Sequence, residues 1–170
     1  MNEPITRPKR LTTRRTALGA AVLALALTSV ATHEGEARKA YLDIVGVPTI
    51  CFGYTKGVRI GDTATKEQCQ ELLVQELEVA NYYVSTCLHA PIPDKTRTAF
   101  VSLVYNAGPQ TVCKPQGSIN RYWNSGRYQQ ACQALKLWVY AGGKKVKGLV
   151  NRRAEEYKLC TEGLNETDTN

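Results

Sequence analysis

The sequence predicts an α+β fold, with a small β region leading into a larger set of helices. Three observations carry this expectation. Residues 37–54 are rich in β-favouring side chains and are broken by Gly46 and Pro48, as a hairpin would be. From Thr65 onward the apolar residues recur at helical spacing. The chain has 170 residues, 43% of them hydrophobic, enough for one domain or two small lobes around a cleft.

Each element has its own signal. Residues 58–60 are β-favouring and precede Gly61, which predicts a short third strand. Thr65 followed by Gln68 has the form of a capping box, opening a helix that runs to about Cys87. Cys69, Leu72, Leu73, Glu76, Val79, Ala80 and Tyr83 lie close to helical spacing on it. Pro91 and Pro93 end that region. Asp94 is placed to cap a helix over 95–105, with Ala99, Phe100, Val101, Leu103 and Val104 as core. Gly108-Pro109 breaks it. Further helices are predicted at Ser118–Asn124, 128–139 and 151–160, the last two separated by Ala141-Gly142-Gly143. The polar tail over 161–170 is expected to fray.

The front of the chain divides into a basic stretch, 1–15, and an apolar one, 16–32. Arg7, Lys9, Arg10, Arg14 and Arg15 precede a run of mild Ala-rich character that holds no charged residue. Basic residues before an apolar run form an export signal with its positive end kept inside. Seventeen residues meet the lower limit of about 17–25 for a membrane span. Three readings compete: a cleavable signal peptide using Ser29-Val30-Ala31, a permanent anchor, and a weakly held anchor that later leaves the bilayer. Arg14-Arg15 also fits a twin-arginine signal.

The formal net charge is +7, which suits an anionic polymer. No cluster of Lys and Arg interleaved with aromatics points to nucleic acid. Six cysteines, Cys51, Cys69, Cys87, Cys113, Cys132 and Cys160, all follow the apolar segment. None forms a C-x-x-C pair and only two histidines are present, so no metal site is expected. An even count on the exported side implies disulfides. Of the 15 connectivities that three pairs allow, those joining Cys69 to Cys87 fail, because 18 helical residues span about 27 Å. The other connectivities stay open on this ground; among them the expectation adopted is Cys51–Cys69, Cys87–Cys113 and Cys132–Cys160. The first would tie the hairpin to the following helix, and the last would tie two C-terminal helices.

Two carboxylates stand where chemistry could use them. Glu34 lies at the end of the apolar segment, where burial would raise its pKa and keep it protonated as an acid. Asp43 lies in the hairpin, better solvated and ionised. A proton donor and a second polar group handling water are what hydrolysis of a glycosidic bond requires. By themselves, two acidic residues nine positions apart are most often surface groups.

The surrounding pattern is more specific. Glu34-Gly35, Ala40-Tyr41-Leu42-Asp43 and Gly46-Val47-Pro48-Thr49-Ile50, then Gly53-Tyr54-Thr55, closely resemble the catalytic signature of the phage-type lysozymes (glycoside hydrolase family 24). In that family Glu, Asp and Thr follow one another at the steps found here, 34 to 43 and 43 to 49. Residues 100–108 resemble the family's cleft helix. Residues 138–144 and 148–155 resemble its C-terminal lobe. The resemblance covers roughly 34–160. Cys51 stands where relatives often have glycine, and Tyr54 where they often have histidine.

The resemblance implies a lysozyme-like fold, a small sheet lobe and a helical lobe with an active-site cleft between them, over residues 33–160. It implies a muramidase that hydrolyses the β-1,4 bond between N-acetylmuramic acid and N-acetylglucosamine in peptidoglycan, in phage-driven host lysis. Glu34 would be the general acid, Asp43 would position or activate water, and Thr49 would hold that water. Inversion at the anomeric carbon is implied. Tyr105, Asn106 and Arg153 would meet substrate, with Arg153 or Arg152 pairing to Glu34 or else acting as plain helix-start charges. Trp123 and Trp138 would stack on sugars or lie in the core. No cofactor is expected, and a monomer is. The family fold needs a helix leading into Glu34, so segment 16–32 should be retained as the first helix. That resembles a signal-anchor-release endolysin, held in the inner membrane with its N-terminus inside and then freed into the periplasm. Two other readings use the same features: a chitinase or transglycosylase, and a tethered peptidoglycan-binding protein that needs neither carboxylate.

Overall fold

The computed structural model describes residues 19, 22–27, 36–43 and 46–167. Its architecture is α+β. Strands β1 (Ala37–Leu42) and β2 (Pro48–Cys51) form an antiparallel hairpin. Helices α1 (Lys66–Cys87), α2 (Asp94–Ala107), α3 (Gln110–Cys113), α4 (Ser118–Asn124) and α5 (Tyr128–Ala134) follow. A 3₁₀ turn (Leu135–Leu137), a small hairpin of β3 (Tyr140–Ala141) and β4 (Lys144–Lys145), and helix α6 (Lys147–Thr167) complete the chain. Residues 22–27 are also helical.

Helix α2 is the centre of the helical lobe. Every residue from Thr98 to Val104 is buried, so the helix has no solvent face and must be covered on all sides. It is packed by α1, α3 and α6. Phe100 meets Trp123 of α4 edge to face, ring centroids 5.3 Å apart. Trp123 is fully buried and belongs to the core, which removes it from the sugar-stacking candidates. Val22 and Ala26 join the same core and are almost wholly inaccessible.

Helix α1 opens as its sequence requires. The Gln68 backbone N–H donates to Thr65 Oγ1, and the Thr65 N–H donates to the Gln68 side chain, completing a capping box. The next helix departs from expectation: α2 begins at Asp94 itself, with Pro93 at the cap position and no side-chain cap. Pro93 brings a pre-set φ, and its carbonyl accepts from the Arg97 N–H at 2.8 Å, which starts the helical ladder.

The third strand is also displaced. Residues 58–60 form no strand. The Asp62 carboxylate accepts from the Arg59 N–H and the Asp62 N–H donates to the Arg59 carbonyl, closing a turn there. Pairing with β1 falls instead at Thr63, through Ala40 N–H to Asp62 O and Ala64 N–H to Arg38 O, each 2.9 Å. The helix predicted over 128–139 stops at Ala134 and tightens into the 3₁₀ turn.

Helix α6 starts earlier and ends later than 151–160, and residues 161–167 are helical rather than frayed. Two features hold them: Leu164 is buried, and Gly163 lies so close to Thr96 that an added Cβ would sit 2.7 Å from its backbone nitrogen.

Three disulfides fasten the elements: Cys51–Cys69 joins β2 to α1, Cys87–Cys113 joins α1 to α3, and Cys132–Cys160 joins α5 to α6. Cys51 has φ +60°, a left-handed conformation that favours glycine.

Candidate active site

The hairpin presents Asp43 and Thr49 through one shared residue. Asp43 follows the last residue of β1, and its backbone N–H donates to the Val47 carbonyl across the turn. The Val47 N–H in turn donates to Asp43 Oδ1 at 2.8 Å. The Thr49 hydroxyl donates to the Val47 carbonyl at 2.9 Å. Thr49 pairs with Tyr41 across the ladder, so the two-residue period of the strands places Asp43 and Thr49 on the same face. Thr49 is buried and Asp43 half-buried. Because the Thr49 hydrogen is committed to Val47, its oxygen offers lone pairs rather than a proton.

Immediately after β2 the chain forms one wall of a groove of about 290 Å³, lined by Phe52, Gly53, Tyr54, Thr55, Lys56, Glu76, Tyr105 and Asn106. The sheet lobe, α1 and the end of α2 thus meet there. Tyr105 fixes one edge by donating its hydroxyl to the Phe52 carbonyl. Lys56 Nζ lies 2.6 and 2.7 Å from the two Glu76 oxygens, closing the wall between the hairpin and α1. Burial, reinforced by Glu76, raises the Tyr54 phenol above its ordinary range. A groove with aromatic walls and a few polar groups is a shape that a sugar chain can occupy.

Beneath α2 lies a buried polar cluster that sequence reading missed. Arg152, Arg153 and Glu156 are all at most 3% exposed. Glu156 Oε1 accepts from the Ser102 hydroxyl at 2.7 Å, from Arg153 Nη2 at 2.8 Å and from Arg152 Nε at 3.3 Å. Arg152 also reaches the Ser102 carbonyl. Burial pushes the Glu156 carboxyl upward, and the Arg153 guanidinium, Ser102 and Arg152 pull it back without cancelling the rise. The arginines are therefore neither surface charges nor ordinary helix-start residues. The signal was present in the sequence: Glu156 stands three and four positions after the two arginines, a helical pairing distance. Ser102 interrupts an otherwise apolar run.

Of the sequence-predicted residues, Asp43 and Thr49 come together on the hairpin, and Tyr105 and Asn106 come together on the groove. Arg153 lies in the buried cluster. Glu34, its pairing with Arg153, and most of segment 16–32 lie outside the described residues. Trp138 is half-buried, and its indole N–H is buried without an acceptor among the described residues.

The chain is similar to known proteins in both sequence and fold. The sequence profile of the phage lysozyme family matches residues 31–156. The chain is 42% identical over 149 residues to the SAR-endolysin of Pseudomonas phage phiKMV, covering 85% of this chain and 91% of that one. It is 33% identical over 138 residues to the endolysin of Salmonella phage P22, covering 78% and 92%. Among solved structures it is similar to the active form of the phage P1 endolysin Lyz, with a TM-score of 0.74 and 27% identity over 82% of this chain and 84% of that one. The chain belongs to the phage lysozyme family of glycoside hydrolases, as a muramidase of the SAR-endolysin type.

Proposed function

We propose that the protein hydrolyses the β-1,4 bond between N-acetylmuramic acid and N-acetylglucosamine, with Glu34 as general acid and Asp43 and Thr49 managing the attacking water. The observation that carries this reading is the shared anchoring of Asp43 and Thr49 on Val47. The Asp43 carboxylate accepts the water's proton as its oxygen attacks, and Thr49, whose own hydrogen is engaged, accepts the second water hydrogen and orients the lone pair. Glu34 gives its proton to the departing sugar oxygen. Water attacking directly, with no covalent glycosyl intermediate, inverts the anomeric centre. Tyr105 and Asn106 bind the sugar along the groove.

The export reading rests on a separate observation. Val22 and Ala26 belong to the core, so cleavage near Ala31 would remove part of it. Segment 16–32 is retained: first as an inner-membrane anchor with its N-terminus inside, then as part of the enzyme released to the periplasm. Among the described residues no helix is long and apolar enough to cross a membrane.

The test combines turbidity loss of permeabilised Gram-negative cells with mass spectrometry of the products. Wild type should clear the cells and leave reducing ends, while Glu34→Gln should leave turbidity unchanged. Anhydro-sugar products would identify a transglycosylase instead, and normal clearing by Glu34→Gln would remove the proposed acid.

A further inference from the structure

Charge is sharply divided along this chain. Between Asp94 and Glu155 there are eleven Lys and Arg and no Asp or Glu. Several of these cations are withdrawn: Arg152 and Arg153 are buried, and Arg97 is half-buried against Asn81 and Ser85. Lys144, Lys145 and Lys147 are exposed, on and beside the β3–β4 hairpin.

The hairpin has a second unusual property. Leu137 and Tyr140 are each 63% exposed and Val146 is 38% exposed, so apolar groups stand in water beside the lysines. Tyr140 pairs with Lys145 across the ladder, and the ladder continues through the Val146 N–H to the Val139 carbonyl at 2.9 Å. Opposed residues share a face, so Tyr140 and Lys145 project from the same side of the hairpin. Gly142 and Gly143 both have positive φ, the backbone of a tight two-residue turn. The result is a short cationic projection with Tyr140 and Lys145 on one face and Lys144 and Val146 on the other.

We infer that this hairpin is a docking element for an anionic phospholipid surface. The chemistry favours a bilayer over the carboxylates of a polymer. Polymer carboxylates would engage the ammonium groups alone and leave the Tyr140 ring beside them in water. A bilayer interface takes both kinds of group: apolar and aromatic parts enter the headgroup layer, lysine stems lie along it, and ammonium groups stay at the phosphates. The absence of acidic residues from this stretch of sequence removes the repulsion such a surface would otherwise meet. Docking here would hold the enzyme at a membrane face through a contact separate from residues 16–32.

The experiment uses full-length protein, so that the apolar segment is present in every sample and its contribution is common to all. Co-sedimentation is measured with vesicles containing phosphatidylglycerol and with vesicles of phosphatidylcholine alone. Wild type should prefer the anionic vesicles by about tenfold or more, and about 1 M salt should erase that preference, since charges are then screened beyond about 3 Å. Lys144→Glu with Lys145→Glu should abolish the preference. Leu137→Ser with Tyr140→Ser should weaken binding to the anionic vesicles with less effect on its salt dependence. Both variants alter exposed groups and should clear permeabilised cells at the wild-type rate. The inference is overturned if the charge-reversed protein keeps the wild-type preference. It is also overturned if that variant loses sedimentation with purified insoluble peptidoglycan while keeping vesicle binding.

Discussion

Val47 contributes no reactive group, yet its N–H and carbonyl hold Asp43 and Thr49 respectively. The proposed water-handling pair therefore depends on the hairpin backbone more than on side-chain packing. Thr49→Ala should lower the cleavage rate, and Asp43→Asn should lower it further, by about 10²-fold or more, the range for a displaced acid–base group. Both proteins should unfold near the wild-type temperature, so a rate loss with unchanged stability is the expected signature. Glu156 behaves differently. A carboxyl whose folded pKa is raised binds its proton more tightly in the folded state. That contribution is complete below the unfolded pKa and is lost as pH rises through the folded one. Glu156→Gln cannot ionise and lacks the loss. The stability of wild type minus that of the variant should fall by about 1.4 kcal/mol per pH unit across the window just above the ordinary carboxylate range. Urea unfolding at a series of pH values checks this, and a constant difference would contradict it. The arginines were visible in the sequence, but their burial was not, because an Arg-Arg pair at a helix start has the same local pattern on a surface.

At the scale of elements, local chemistry and tertiary contact divide the control. The start of α1 is local: Thr65 and Gln68 satisfy each other's backbone donors wherever the helix packs. Thr65→Ala should cost about 1 kcal/mol in a denaturant titration. The end of α6 is not local. Residues 161–167 hold helix because Leu164 enters the core and Gly163 lets the backbone approach Thr96. A methyl at position 163 would meet Thr96 Oγ1 at 2.5 Å and its nitrogen at 2.7 Å. Gly163→Ala should therefore destabilise by about 1–3 kcal/mol, as overpacking does, although alanine is the better helix former. An increase in stability would show that α6 and α2 can separate at no cost. The displaced third strand has a local cause, since Asp62 closes a turn over the residues whose β-propensity predicted it.

For the molecule as a whole, the disulfides tie elements distant in the chain, and Val22 and Ala26 of the first apolar segment enter the core. Cys132–Cys160 closes 28 residues, and its removal by paired alanine substitution should cost roughly 3–4 kcal/mol. Removing Cys51–Cys69 as Cys51→Gly with Cys69→Ala should cost less. That loop is shorter, at 18 residues, and glycine relieves the positive φ at position 51, a conformation worth about 1–2 kcal/mol to an L-residue. Differential scanning calorimetry of the two double variants should rank them so. In segment 16–32, Gly19 and Ala24 are exposed in the folded enzyme, and a Cβ at Gly19 would meet nothing within 4 Å. Leucine at both positions should leave the folded enzyme intact. It also adds several apolar carbons to the span, at about 0.8 kcal/mol per CH₂, which should hold it in the bilayer. Fractionation after membrane depolarisation should find wild type in the periplasm at full length and the leucine variant in the membrane. Wild type shortened near Ala31 would make the segment an ordinary signal peptide.

The sequence by itself determined the fold class, the hairpin, the capping of α1 and the Glu–Asp–Thr spacing, because these are written in residue type and spacing along the chain. The same spacing identified the family. Only the tertiary structure decided that Arg152, Arg153, Ser102 and Glu156 form one buried cluster, that Trp123 belongs to the core, and that α6 reaches Thr167. Each of these depends on a partner distant in the chain: Ser102 and Glu156 are 54 positions apart, and Thr96 and Gly163 are 67 apart. A periodic pattern records which face of a helix is apolar. It does not record which other helix will cover that face, and that partner decides whether a charge is buried or solvated and whether a glycine is a weak point or a contact.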